Sequence, residues 1–369
     1  MPYEPVQGRL HYIFEKYGIS PLGDITISFC SMANEIFSFD TEEGKLYLKN
    51  CLKNDSPSRI ALEIAFSEHL QENGMPCPEL VSAKNGDKVV YYNGFQFLLS
   101  KAFDGYTPHW NDTLEPWIVR ETMRGLGRFH QAAASFSTQH DSDRIKSFEF
   151  ERQSAWLDDL QAELTEQSDS EPNAGMLQLI PKLRHLIESV RPHVAEGLAR
   201  GCQVQMIHGD FHCFNVFYKD EQMVGCCDFD FIRRDLRLFD LWWCTRSMLD
   251  DVYFPLKWGA ERVRDRQFQP DPDEIQPIIN AAIRECIEFY RQCAELSDTE
   301  LSFLPLMPKL LILNNMQFFD PNSSEEERAD HVTVISQQLR KIEAHSERLK
   351  TAVDQMLSGV LKTEDQATS

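Results

Sequence analysis

One segment, QMIHGDFHCFNVFYKDEQMVGCCDFDFIRRDLRLFDLWW, constrains the fold of this chain more than any other. Its first apolar run ends at His208-Gly209-Asp210, and Asn215 follows five residues after the aspartate. A second apolar run, MVGCC, ends at Asp228. Short apolar runs bounded by polar residues predict buried strands with those polar residues on the adjoining loops. The segment therefore predicts a β-rich island that presents two carboxylates and an amide on its loops.

Beyond Gly105 the sequence pattern is helical almost throughout, and the island, residues 204–231, interrupts it. Before it, an opening amphipathic helix is followed from Ile25 by short β-rich runs, with one helix inserted after Ser56-Pro57. The run VVYY-NG-FQFLL predicts a hairpin, because Asn-Gly suits a two-residue turn. We predict an α+β fold with an antiparallel sheet lobe over residues 1–101, a larger, mainly helical lobe over residues 102–360, and a flexible tail over residues 361–369.

Composition limits the classes of function. The net charge of −21 argues against non-specific binding to nucleic acid, which needs clustered Lys and Arg. No apolar stretch is long and uninterrupted enough to act as a secretion signal or to cross a membrane. The ten cysteines form no C-x-x-C pair, which predicts reduced thiols and a cytoplasmic location. No heptad seam or conspicuous aromatic patch indicates the oligomeric state, and a homodimer is the default expectation.

The polar residues of the island match the needs of phosphoryl transfer. That reaction requires a carboxylate at the acceptor hydroxyl and oxygen ligands that hold Mg²⁺ against the phosphates. Asp210, Asn215 and Asp228 supply this set. The alternative is a zinc site, suggested by His208 and His212, but an apolar strand leads into them and no third ligand stands at metal spacing. We interpret His208 as a structural residue whose ring fastens the loop.

The pattern resembles that of the aminoglycoside phosphotransferase and choline kinase-like superfamily, which includes type II homoserine kinases and a bacterial stress-response protein kinase. The residues that carry the resemblance are His208, Gly209, Asp210, Asn215, Asp228 and the pair Asp240-Leu241. The resemblance implies a protein-kinase-like two-lobed fold with ATP between the lobes. It also implies that Asp210 is the catalytic base, that Asn215 and Asp228 bind Mg²⁺, and that Asp240 braces the catalytic loop.

The same resemblance implies nucleotide-binding residues in the first hundred residues. Lys49, in KLYLKN, would hold the α- and β-phosphates, and Glu63 on the following helix would orient it. A nucleotide-covering turn is expected in SFCSMANEIF, where Asn34 matches the family although the turn lacks glycine. Ser100 to Phe103 would meet the adenine, while the alternative for Phe103 is an ordinary core side chain.

We therefore predict an ATP- and Mg²⁺-dependent phosphotransferase that acts on a hydroxyl of a small molecule. An amino alcohol, an amino acid such as homoserine, an aminoglycoside and a sugar are the candidate acceptors. The first alternative is a Ser/Thr protein kinase, but no lysine stands two residues after Asp210 and D-F-D replaces D-F-G. The second alternative is a kinase-like protein without catalysis, which the glycine-free turn keeps open.

Overall fold

Strands dominate the first hundred residues and helices the remainder, so the predicted α+β class is confirmed. The structure is a computed structural model that describes residues 6–28, 34–52, 56–110, 112–140, 142, 144–167, 170–265, 268 and 270–359. Its strands are β1 (Leu22–Ser28), β2 (Asn34–Thr41), β3 (Gly44–Cys51), β4 (Val89–Tyr92), β5 (Phe95–Lys101), β6 (Val204–Ile207), β7 (Val216–Lys219), β8 (Gln222–Cys226) and β9 (Arg233–Leu236). Its α-helices are α1 (Val6–Tyr17), α2 (Pro57–Glu72), α3 (Pro116–Ala133), α4 (Phe150–Glu166), α5 (Glu171–Ala199), α6 (Arg237–Met248), α7 (Phe254–Trp258), α8 (Ala260–Arg264), α9 (Pro272–Arg291), α10 (Asp298–Leu301), α11 (Met307–Asn315) and α12 (Glu325–Ser358).

The chain divides into two compact units. The first comprises Met1–Trp110, Ala132–Asp143 and Cys213–Ile232, and the second comprises Asn111–Gln131, Arg144–His212 and Arg233–Ser369. The first unit thus contains the β7–β8 hairpin in addition to the N-terminal sheet. The division into lobes after residue 101 stays a prediction, and the predicted tail, residues 361–369, lies outside the described residues.

The first unit is built on a five-stranded antiparallel sheet in the order β1-β2-β3-β5-β4. The predicted hairpin is confirmed, with Asn93 and Gly94 between β4 and β5 at φ +49° and +83°. Two consecutive positive φ values are typical of the tight turn that asparagine and glycine favour. The inserted helix α2 begins at Pro57. The first N–H of a helix has no intrahelical acceptor, so a proline at this position costs no hydrogen bond.

Side chains alternate between the two faces of this sheet. One face packs against α1 in a cluster of buried residues: Leu10, Ile13, Phe14, Tyr17, Phe37, Phe39, Leu46, Leu48, Ala83, Val90, Phe97 and Leu99. The other face contributes Cys51 and Leu98 to a cluster with Ile60 of α2. Full burial of a Leu or Phe side chain stabilises the folded state by about 1.5–3 kcal/mol relative to leaving that side chain exposed to water. Because Leu48 belongs to the α1 face, its neighbour Lys49 lies on the α2 face.

The second unit is mainly helical. Its longest helix, α12, packs against α5, α9 and α11 and begins with a capping box formed by Ser324 and Glu327. Strands β6 and β9 pair antiparallel, from Val204 opposite Leu236 to Ile207 opposite Arg233. This short pair determines where the chain after Ile207 leaves the sheet, and α6 follows β9 directly.

Two general features bear on the sequence predictions. All nine cysteines in the described part of the chain are free thiols, and the tenth, Cys30, lies outside it. Among the described residues no helix has the length and the apolar character that crossing a membrane requires.

Candidate active site

Lys49 and Glu63 form an ion pair in the first unit. Lys49 lies on β3 opposite Leu98 of β5, and its Nζ atom is 2.9 and 3.0 Å from the two carboxylate oxygens of Glu63 on α2. Both side chains are largely buried, with 15% and 14% exposed. The sheet directs Lys49 toward the α2 face, and α2 carries Glu63 in its second turn. The geometry thus brings together two residues that the sequence had assigned to nucleotide binding, although their role stays a prediction.

Asp230 is a third member of this cluster, and sequence reasoning gave it no role. Its Oδ1 atom accepts from Lys49 Nζ at 2.6 Å, its other carboxylate oxygen accepts from Asn34 Nδ2, and its backbone oxygen accepts from Arg59 at 2.5 Å. The carboxylate is almost entirely buried. The available signal was the second aspartate of D-F-D, which stands where protein kinases have glycine. Asn34, predicted on the nucleotide turn, is therefore joined to Lys49 through Asp230.

The electrostatics of the cluster keep Lys49 charged. Burial by itself would lower the pKa of Lys49, but the negative charges of Asp230 and then Glu63 outweigh this effect and raise the pKa well above its ordinary value. A cation held between two carboxylates is also restrained in position. Lys49 therefore remains a protonated donor at any physiological pH.

Asn215 and Asp228 lie at one end of the β7–β8 hairpin. In the register of this hairpin Val216 is opposite Cys226, and the backbone N–H of Cys227 donates to the carbonyl oxygen of Asn215 at 2.9 Å. Asp228 follows at φ +68° and ψ +64°, a left-handed conformation that is uncommon for residues other than glycine and is concentrated at functional sites. The hairpin brings together the two residues predicted to bind metal.

The donors near this hairpin end fit Mg²⁺ by their chemistry. One carboxylate and one amide oxygen are hard ligands, and Mg²⁺ commonly takes only one or two carboxylates from protein and completes its shell with water and substrate phosphate. The described residues contain no group of three or more His, Cys, Asp or Glu side chains arranged to hold a metal ion. A site that depends on substrate phosphate does not require such a group.

The residues predicted to meet the nucleotide base lie near the end of β5. Ser100 is opposite Tyr47 of β3, and the ring of Phe103 packs against Phe217 of β7 with the centroids 4.8 Å apart. A Cβ atom at Gly225 would stand 2.4 Å from the Phe103 ring, so that ring occupies the space left by the missing side chain. Most of the predicted nucleotide-covering turn, residues 29–33, lies outside the described residues.

In the second unit Asp240 holds the loop that carries Asp210. The loop begins after β6, and Gly209 has φ +80°, a conformation that glycine adopts without strain. The carboxylate of Asp240 accepts the backbone N–H of His208 at 2.7 Å and that of Gly209 at 2.8 Å, one on each oxygen. His130 Nε2 lies 3.2 Å from the first of these oxygens. Asp240 therefore contacts the loop that the sequence predicted it to brace.

Asp240 is ionised in this environment. Burial would raise the pKa of Asp240, but the hydrogen bond and charge of His130, the charge of His208 and the backbone N–H of His208 hold it below its ordinary value. His130 is in turn positioned by the hydroxyl of Tyr290, 2.9 Å from Nδ1. His208 is fully buried, and its ring contacts Phe129 and Phe211. The environment of His208 is therefore that of a core side chain.

Asp210 is held by a residue that the sequence analysis left out of the site. Trp243 Nε1 donates to Asp210 Oδ1 at 2.9 Å, and His212 Nε2 is 3.5 Å from the same oxygen. The Asp210 side chain is 22% exposed, so solvent and solutes reach it. An aromatic pair on an apolar helix favours a core interpretation, and only the tertiary structure reveals that Trp243 reaches the loop.

Known proteins resemble this chain in sequence and in fold. The model of the phosphotransferase enzyme family matches residues 31–278. A homoserine kinase of Bradyrhizobium diazoefficiens is 25% identical over 281 residues, which cover 75% of this chain and 72% of that protein. Among solved structures, an amicoumacin kinase in complex with AMP-PNP and Ca²⁺ has a TM-score of 0.61 at 17% identity, over 92% of this chain and 94% of the other. A microcompartment-associated aminopropanol kinase has a TM-score of 0.56 at 13% identity, over 93% and 98%.

At these identities the structural likeness establishes the fold alone, and it is the kinase-like fold that the sequence predicted. The family model covers more than half of the chain and includes Lys49, Glu63, Asp210, Asn215 and Asp228. The chain belongs to the phosphotransferase enzyme family and is a small-molecule kinase.

Proposed function

We propose that this protein transfers the γ-phosphate of ATP to the hydroxyl of a small molecule that also carries an amino group. The observation that carries the proposal is the buried cluster in which Lys49 contacts Glu63 at 2.9 Å and Asp230 at 2.6 Å. A lysine that is restrained and permanently charged is the donor that phosphate oxygens require. Ion pairs of this kind are common on protein surfaces. Burying both partners costs desolvation free energy, and buried charged groups of this kind cluster at functional sites.

The charges around Lys49 support a dependence on Mg²⁺. Lys49 contacts the carboxylates of Glu63 and Asp230, and Arg59 contacts the backbone oxygen of Asp230. Because two carboxylates already face Lys49, the cluster offers little net positive charge to a polyphosphate that arrives without a metal ion. In the proposal Asn215 and Asp228 hold Mg²⁺, which neutralises phosphate charge when it is bound. The bound ATP analogue and Ca²⁺ of the amicoumacin kinase structure support a nucleotide with a divalent cation.

Asp210 is the proposed catalytic base. As the acceptor oxygen attacks the γ-phosphorus, its hydroxyl proton passes to the Asp210 carboxylate, and ADP leaves with the electrons of the bond that breaks. The hydrogen bonds from His208 and Gly209 to Asp240 support this role, because they hold the backbone that carries the base. In the proposal transfer is direct and forms no phosphoenzyme.

The names of the relatives support an acceptor with both an amino group and a hydroxyl. Homoserine is an amino acid with a terminal hydroxyl, and aminopropanol is an amino alcohol. The net charge of −21 favours the approach of cationic solutes in a general way. We propose L-homoserine and 1-amino-2-propanol as the first acceptors to test, ahead of aminoglycosides and sugars. The cytoplasmic location and the homodimer stay predictions.

The test is acceptor-dependent ADP release by the purified protein with ATP and Mg²⁺. L-homoserine is compared with L-2-aminobutyrate, which lacks only the hydroxyl, and with 4-hydroxybutyrate, which lacks only the amino group. Ethanolamine, choline, 1-amino-2-propanol, glucose, kanamycin and spectinomycin complete the panel. We expect ADP release with at least one amino-bearing hydroxyl compound and none with its hydroxyl-free analogue.

The variant Asp210→Asn should abolish this turnover. Its matched control is Asp220→Asn, the same change at an exposed position of the β7–β8 turn with φ +49°, which asparagine accepts readily. No ADP release with any acceptor, together with no rise in melting temperature on addition of ATP and Mg²⁺, would leave the non-catalytic alternative as the better account. Turnover only with a protein substrate would favour the protein kinase alternative.

A further inference from the structure

Helix α6 contacts the loop of Asp210 at two points. Asp240, in its first turn, accepts the backbone N–H groups of His208 and Gly209. Trp243, three residues later, donates its indole N–H to Asp210 Oδ1 at 2.9 Å. Residues three apart lie on the same face of a helix. One face of α6 therefore holds both the backbone of the loop and the carboxylate that it carries.

The indole ring of Trp243 is restrained on its other side. The guanidinium carbon of Arg246 lies 5.6 Å from the centre of the indole ring, within the range of a cation–π contact, and Arg246 also pairs with Asp250 at 3.5 Å. Trp243 is half-buried as a residue. A donor that is fixed in this way directs its partner more strongly than a mobile surface side chain would.

A hydrogen bond to a carboxylate restricts its rotation about the χ2 angle, so the carboxylate oxygens keep one direction. His212 Nε2, 3.5 Å from the same Oδ1 atom, lies on the same side of the carboxylate. A fixed direction matters for a group that must accept a proton from a bound acceptor, which is the role proposed for Asp210.

We propose that Trp243 is a positioning residue for phosphoryl transfer, which holds Asp210 Oδ1 so that the carboxylate meets the acceptor hydroxyl in one orientation. This inference rests on the proposed function of Asp210. Trp243 makes no contact with substrate in this proposal. Trp243 affects only the proton-accepting step, so the binding of ATP does not depend on Trp243.

The neighbouring Trp242 supplies a matched control. It is 6% exposed, and within the described part of the chain its indole N–H has no hydrogen-bond partner. Trp242→Phe and Trp243→Phe make the same chemical change at adjacent positions of α6, and only the second removes a hydrogen bond to Asp210. A general effect of losing an indole from α6 would appear in both variants.

The kinetic test uses the acceptor of the above panel that supports the fastest ADP release. We expect Trp243→Phe to lower kcat about 10- to 100-fold, the loss associated with one hydrogen bond to a charged group, while KM for ATP changes by less than about twofold. Trp242→Phe should leave kcat and KM for ATP close to the wild-type values.

A second measurement does not depend on turnover. In the ¹⁵N-labelled protein the six tryptophans give six indole N–H resonances, and Trp242→Phe and Trp243→Phe assign two of them. In Asp210→Ala the Trp243 resonance should shift and exchange faster with water, while the Trp242 resonance stays in position. This comparison needs no catalytic activity in any variant, because Trp243→Phe serves only to assign the resonance and Asp210→Ala retains both indoles.

The outcomes separate this inference from the proposed function. If Asp210→Asn abolishes turnover but Trp243→Phe lies within about threefold of Trp242→Phe in kcat, the function stands and the role of Trp243 is refuted. An unchanged Trp243 resonance in Asp210→Ala would refute the contact itself. Full activity of Asp210→Asn would overturn the proposed function and with it this inference.

Discussion

The substitution Asp240→Asn tests how strongly α6 holds the loop that carries Asp210. Each oxygen of the buried Asp240 carboxylate accepts at least one N–H: Oδ1 accepts from Gly209 at 2.8 Å, and Oδ2 accepts from His208 at 2.7 Å and lies 3.2 Å from His130 Nε2. An asparagine must put its NH₂ group in place of one of these oxygens. Whichever way it is turned, a donor then faces a donor in a fully buried site.

The expected loss of unfolding free energy is worked out for the less costly orientation of the asparagine amide. With the NH₂ group toward Gly209, one hydrogen bond to a charged acceptor is lost, at about 1.5–3 kcal/mol, and the buried N–H of Gly209 is left unsatisfied, at about 1–3 kcal/mol. The bonds from His208 and His130 survive but become bonds to a neutral oxygen, which are about half as strong. We expect Asp240→Asn to lower the free energy of unfolding by about 3–5 kcal/mol, the range found when a buried pair loses one partner.

The assay is urea-induced unfolding of the purified protein, followed by circular dichroism and tryptophan fluorescence. The matched control is Asp354→Asn, the same change at an exposed position of α12, for which we expect a change within about 0.5 kcal/mol. Asp240→Ala should cost at least as much as Asp240→Asn, because it satisfies none of the three donors. A loss below about 1 kcal/mol for Asp240→Asn, similar to that of Asp354→Asn, would refute the reasoning.

The other predictions concern the cluster around Lys49, the packing of Phe103 against Gly225 and the effect of acid on stability. Glu63→Gln leaves Lys49 with one carboxylate partner, so KM for ATP should rise about tenfold in initial-rate assays, and an unchanged KM would contradict the proposed role of the pair. Gly225→Ala places a Cβ atom 2.4 Å from the Phe103 ring, so it should destabilise the protein by about 1–3 kcal/mol in urea unfolding and reduce the rise in melting temperature caused by ATP. The lowered pKa of Asp240 contributes stability that is present above the pKa of an unfolded aspartate and is lost as the pH falls through the folded value. The free energy of unfolding measured from pH 7 to pH 3 should therefore fall less steeply in Asp240→Asn than in the wild type, and equal slopes would contradict this assignment.

The architecture could be predicted because each element depends mainly on nearby residues. The hairpin at Asn93-Gly94, the start of α2 at Pro57 and the end of β6 before His208 all follow from turn and cap chemistry and from apolar runs of a few residues. The candidate site could be predicted for a related reason. Its aspartates and its asparagine stand directly after apolar runs, at a spacing that the island itself specifies.

The contacts between side chains could not be predicted in this way. Lys49 and Asp230 are 181 residues apart in the chain, and nothing in the local pattern of D-F-D indicates which cation its second aspartate will meet. Gly225 looks like an ordinary break in an apolar run, yet it leaves the space that the Phe103 ring fills. Such contacts arise only when separate elements pack against each other.

The sequence by itself determined the α+β class, the antiparallel sheet and the spacing that delivers Asp210, Asn215 and Asp228 to loops, because periodicity and turn chemistry act over a few residues. Only the tertiary structure decided that Asp230 joins the cluster around Lys49, and that Trp243 rather than Trp242 donates its indole N–H to Asp210. Adjacent positions on a helix point about 100° apart, so identical neighbouring residues meet different surroundings, and only the packing of α6 beside the loop distinguishes them.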